Sequence, residues 1–92
     1  MVSTAKPESS WFVYILQCCD NTLYTGITTD IDRRVREHNS STTGSKYTKS
    51  RRPVKLVYQE NAPSRSAAAA REFQIKQLDR IDKKKLITKN PA

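Results

Sequence analysis

Cysteine is nearly absent from this 92-residue chain, and its only two copies, Cys18 and Cys19, are adjacent. Neighbouring cysteines bridge only with strain, because disulfide geometry favours a larger Cα separation. The pair supplies neither a disulfide framework nor the ligand spacing of a zinc site. Two unpaired thiols suit a reducing cytoplasm. Long apolar runs are missing too: nothing approaches the roughly 20 residues of a membrane span. Met1 to Ser10 is polar and lacks the apolar stretch of a signal peptide, so it reads as a loose tail. Acidic residues are few, 9 against 17 Lys and Arg, which leaves a formal net charge of +8. Such an excess favours a polyanionic partner. There is no internal repeat and no interdomain linker, and the length suits one domain with a modest core.

What the chain does contain is a legible order of elements. Trp11 to Cys18 is aromatic and β-branched and predicts a strand, with one of the two cysteines facing inward. Asp20-Asn21 signals a turn, and Thr22 to Thr28 predicts the second arm of an antiparallel hairpin. Tyr14 and Tyr24 then lie on neighbouring strands, but register decides whether they share a face. Thr29 with Asp32 has the form of a capping box, opening a helix to about His38 with Ile31, Val35 and His38 along one side. Asn39 to Arg52 is a long polar loop of the kind that is often functional. Val54 to Tyr58 alternates in part and predicts a third strand. Ser64 or Ser66 caps the next helix, which the run Ala67 to Ala70 favours strongly. Asp79 caps a last helix, about Arg80 to Thr88, expected to pack Ile81, Leu86 and Ile87. Lys89 to Ala92 reads as a frayed tail. The sum is an α+β domain over residues 11–88: a small antiparallel three-stranded sheet flanked by helices, in the order β-β-α-β-α-α.

Trp11 to Leu16 (WFVYIL), Leu23 to Thr28 (LYTGIT) and Asp30 to Asn39 (DIDRRVREHN) together resemble the opening of a GIY-YIG nuclease domain. Arg71-Glu72-Phe73-Gln74-Ile75-Lys76 resembles that domain's metal-binding helix. The closest likeness is to the small stand-alone YhbQ-like subgroup, and it extends from about Trp11 to about Ile87. Tyr24 follows Tyr14 by ten positions and Arg34 follows Tyr24 by ten, as in the family pattern. The first motif departs from Gly-Ile-Tyr as Phe12-Val13-Tyr14, and the second from Tyr-Ile-Gly as Tyr24-Thr25-Gly26; both keep the tyrosine. Many members carry an asparagine after the glutamate helix. Asn90 is the only candidate here, and no role is assigned to it.

The resemblance implies a divalent-metal-dependent endonuclease, acting on DNA more readily than RNA through shape or backbone recognition. Its implied catalytic set is Tyr14, Tyr24, Arg34, His38 and Glu72, with Glu72 as the ligand of Mg²⁺ or Mn²⁺. The chemistry is coherent. Mg²⁺ needs only one or two protein carboxylates beside water and phosphate oxygens. A guanidinium stays charged and grips phosphate in bidentate fashion. A phenol is a poor base at neutral pH unless nearby cations lower its pKa. His38 can orient a group or relay a proton. Gly26 suits a close approach or a bulge after Tyr24. Lys46, Tyr47, Lys49, Arg51 and Arg52 form a basic stretch around an aromatic, suited to tracking a nucleic-acid backbone. Each residue also has a plain reading. Glu72 with Lys76 is an ordinary helix ion pair, and the tyrosines are packing residues. A non-catalytic nucleic-acid-binding module would keep the fold and the basic groove but would have no use for Glu72. A protein-interaction adaptor would need the charge only for solubility. Oligomeric state is not legible.

Overall fold

A computed structural model describes residues 10–40 and 51–89 of the chain. These form β1 (Trp11–Gln17), β2 (Leu23–Thr28), α1 (Ile31–Ser40), β3 (Lys55–Ala62), α2 (Arg65–Gln77) and α3 (Arg80–Lys89). The sheet is antiparallel, in the order β2-β1-β3. The expected order of elements holds.

Being central, β1 is buried on both faces, and its run of four buried residues, Val13 to Leu16, reflects this. Val13 and Ile15 point to one side, where they meet Tyr58, Ala62, Ala68 and Ile75, with Leu86 and Ile87 of α3 packed against them. Tyr14 and Leu16 point to the other, with Cys18, Ile31 and Val54, and with Val35 of α1 nearby. The sheet thus carries α2 and α3 on one face and α1 on the other. Just past the end of β1, Cys18 is buried and Cys19, in the turn, is exposed.

Local chemistry sets the ends of the elements. Asn21 turns the hairpin with a positive φ of 68°, which asparagine tolerates. The Asp20 carboxylate accepts from the Thr22 amide and hydroxyl at 3.1 and 2.6 Å. Asp30, rather than Thr29, caps α1: its Oδ1 accepts the Arg33 amide at 3.1 Å. Ser64, not Ser66, caps α2 by accepting the Ala67 amide at 3.1 Å. Asp79 caps α3 through the Asp82 amide at 2.8 Å.

Two expectations are corrected. The third strand runs on through Gln59, Glu60 and Asn61 to Ala62. Its partial alternation comes from a bulge: Ile15 pairs Tyr58 while Leu16 pairs Leu56, which leaves Val57 as the extra residue. Ile81 does not pack inward; it is 66% exposed, and the apolar residues by which α3 docks are Leu86 and Ile87.

Candidate active site

Register brings the two tyrosines together. Tyr14 pairs Gly26 and Leu16 pairs Tyr24, so all four side-chain positions lie on the α1 face. The phenol rings are 6.4 Å apart, centre to centre. Gly26 makes this possible. A Cβ placed there would stand 2.5 Å from the Tyr14 oxygen and 2.7 Å from Cζ, so the Tyr14 ring lies where any other side chain would begin. The close approach anticipated at Gly26 is that of a side chain, with no bulge in β2.

α1 supplies the second wall. Arg34 and His38 are four apart and project from one edge of the helix. His38 is fully buried, and its Nε2 lies 3.1 Å from the Tyr14 hydroxyl. The His38 ring also stands edge-on to Tyr24, 5.1 Å between centroids. The Arg34 guanidinium reaches the same Tyr14 hydroxyl. An arginine can only donate, so Tyr14 accepts from it, and the same hydroxyl shares a hydrogen bond with His38 Nε2 whose donor is set by the imidazole tautomer.

Electrostatics follow from burial. Desolvation first, and then Tyr24, push the Tyr14 phenol up to about 12, against the smaller lowering by Arg34. His38 is pushed down to about 4, by burial first and then by Arg34. Both groups are neutral at pH 7. Arg34 does lower the Tyr14 phenol, but burial outweighs it. Tyr24 is half-buried and stands nearer solvent than Tyr14, which is 1% exposed.

Glu72 comes from the other face of the sheet, on α2, a helix that packs on β1 and β2. Its carboxylate is near enough to raise the Tyr14 phenol, and one oxygen pairs with Lys76 Nζ at 3.2 Å. Both the functional partner and the plain helix ion pair are therefore present at once. Among the described residues no group of three or more His, Cys, Asp or Glu gathers to hold a metal. A single carboxylate, completed by water and phosphate oxygens, fits Mg²⁺ and not a protein-caged metal.

Sequence reading missed Glu37. Its Oε1 accepts from Arg34 Nη1 at 2.9 Å, and its Oε2 lies 3.8 Å from Arg33 Nε. It orients the guanidinium, and its spacing from Arg34, i to i+3 on a helix, was the available signal. Asn39, one turn on, is also structural: it exchanges hydrogen bonds of 3.0 and 2.7 Å with the backbone of Val54.

Of the proposed nucleic-acid contacts, Lys46, Tyr47 and Lys49 lie outside the described residues. Arg51 and Arg52 have structural duties. Arg51 Nε donates to Asp20 at 3.1 Å, and Arg52 Nε donates to the carbonyl of His38 at 2.6 Å. They staple the start of β3 to the hairpin turn and to the end of α1.

This arrangement has relatives. Residues 10–85 match the family described as the GIY-YIG catalytic domain. The UPF0213 protein DP2720 of Desulfotalea psychrophila is 58% identical over 85 residues, which cover 89% of this chain and 77% of the relative. The solution NMR structure of the UPF0213 protein BH0048 from Bacillus halodurans is 43% identical with a TM-score of 0.55, covering 86% of this chain and 83% of that one. The solution NMR structure of EF2693 from E. faecalis is 38% identical with a TM-score of 0.62, covering 92% and 90%. With these matches, the chain belongs to the GIY-YIG catalytic domain family, among proteins akin to UPF0213.

Proposed function

We propose that this protein is a divalent-metal-dependent endonuclease that hydrolyses phosphodiester bonds in DNA, recognising backbone and shape. The observation that carries the reading is the convergence on Tyr14: His38, Arg34 and Tyr24 crowd its ring, and Glu72 reaches it electrostatically from another helix. A packing role for two strand tyrosines requires none of the three charged or titratable partners.

In this reading Arg34 binds the scissile phosphate, and Glu37 holds its guanidinium in line. Tyr24, at the rim, faces the attacking water and helps remove its proton. Tyr14, neutral and hydrogen-bonded to His38, fixes the geometry behind it. Mg²⁺ or Mn²⁺ held by Glu72 would supply Lewis-acid stabilisation of the phosphoryl oxygens and leaving group. A carboxylate facing phosphate with no metal between them would repel it, so Glu72 gives a pure binding module no advantage.

The test is cleavage of labelled single-stranded, duplex, flap and branched DNA, with matching RNA, in Mg²⁺ or Mn²⁺. Glu72→Ala is expected to lose cutting while it binds as well as the parent or better at low salt. Chelator should have the same effect on the parent. Arg34→Ala should lose roughly 10²–10³ in turnover, the scale of a lost electrostatic stabiliser. Cutting by Glu72→Ala equal to the parent would end the assignment. Binding with no cutting by either protein would establish the non-catalytic module.

A further inference from the structure

α3 has two unlike sides. Lys83, Leu86 and Ile87 are partly buried and face the sheet. Ile81, Lys84, Lys85 and Thr88 are spaced i, i+3, i+4, i+7 and share the outward face, with Lys89 beside them. All five are exposed, and together they line one open, mostly apolar hollow.

Among the described residues, several cations elsewhere are neutralised by carboxylates, and those of this face are not. Elsewhere in the described residues Arg33 and Arg34 pair with Glu37, Arg51 with Asp20, Arg71 with Glu60 and Lys76 with Glu72. Among the described residues Lys84, Lys85 and Lys89 have no acidic partner within ion-pair distance. Lys85 and Lys89, four apart, repel each other on the helix. A polyanion laid along the face would relieve that repulsion.

We propose that the outward face of α3 is a second nucleic-acid contact, in which Lys84, Lys85 and Lys89 bind successive phosphates of a duplex without metal. The choice of ligand class rests on the nuclease reading and on the net charge of +8. Other occupants fit less well. A membrane-surface helix needs a broad apolar face, and this one offers Ile81 alone. A second copy of the chain would bring like charges together around that isoleucine. The contact lies on the face of the sheet away from Tyr14 and Arg34, so it adds hold on the substrate without entering the chemistry.

The experiment measures binding of a short labelled DNA duplex by fluorescence anisotropy, in chelator, across a KCl series. The parent is compared with Lys84→Gln/Lys85→Gln/Lys89→Gln, whose outward positions leave the core untouched, and circular dichroism checks the fold. If all three lysines hold phosphates, the slope of log K against log salt flattens by about 2.7, at about 0.9 per phosphate. An unchanged slope in the folded variant, with the parent binding, overturns this proposal and leaves the nuclease reading intact. No binding by the parent at the lowest salt overturns both. Loss of binding to anionic vesicles, or of self-association, in a variant whose DNA slope is unchanged assigns the face to a membrane or to a second copy and overturns the proposal.

Discussion

Gly26 shows how a single absent atom positions the site. Tyr14 is 1% exposed and hydrogen-bonded to His38, so its ring has nowhere to retreat. Gly26→Ala would drive a methyl group into the phenol, 2.5 Å from its oxygen. The expected cost is about 1–3 kcal/mol of stability, the scale of overpacking, read from urea unfolding. Cleavage should fall further than stability does, by about 10²-fold if the phenol moves by an ångström. Unchanged stability would show that the ring is free to move, which would remove the close approach from the account of the site. The sequence offered the two tyrosines and the glycine but not their contact. Strand periodicity gave each residue one of two faces, and only the pairing of Tyr14 with Gly26 chose between them. Glu37 was hidden for a different reason: a glutamate following three arginines on a helix looks like ordinary surface charge until its bond to Arg34 is seen.

At the scale of elements, their order was legible and their ends were less so. Ser64 and Ser66 were equal candidates by composition, because either could precede the alanine run. Ser64 takes the role, and Ser66 meets only the Ser64 hydroxyl at 3.2 Å. Ser64→Ala should therefore cost about 1 kcal/mol, and Ser66→Ala should cost little, both measured as shifts in the urea midpoint. Equal losses would mean that the cap is shared. The length of β3 was not legible, since Gln59, Glu60 and Asn61 are polar and signal a loop. Tertiary pairing holds them in the strand: Glu60 pairs across β1 with Val13 and receives Arg71 of α2 at 3.0 Å. Ile81 was misassigned because an isoleucine in a helix is expected to pack. α3 touches the sheet with a narrow side, and Leu86 and Ile87 fill it.

Across the whole molecule, the buried imidazole links the site to stability. His38 ties α1 to the central strand through Tyr14, and its carbonyl receives Arg52 from the segment leading into β3. The groups around it are Tyr14 and Tyr24 from the sheet, Arg34 and Glu37 from its own helix, and Arg52. Arg34 and Arg52 oppose its protonation, and Glu37 alone favours it. The folded protein holds His38 at about 4, well below the ordinary histidine value of 6.5. The unfolded chain therefore takes up a proton first as pH falls. The stability this group contributes is complete above about pH 6.5. It is lost as the medium is acidified toward pH 4, up to about 3 kcal/mol in all. Carboxylates also titrate near the lower end of that window, so the readout is the difference between the parent and His38→Gln. Gln cannot charge, so the variant should start less stable at pH 7 and lose less between pH 6.5 and 4.5. Parallel pH profiles for the two proteins would mean that His38 is protonated as easily folded as unfolded. In that case the neutral Tyr14-to-His38 hydrogen bond would not be the support on which Tyr24 and Arg34 are set.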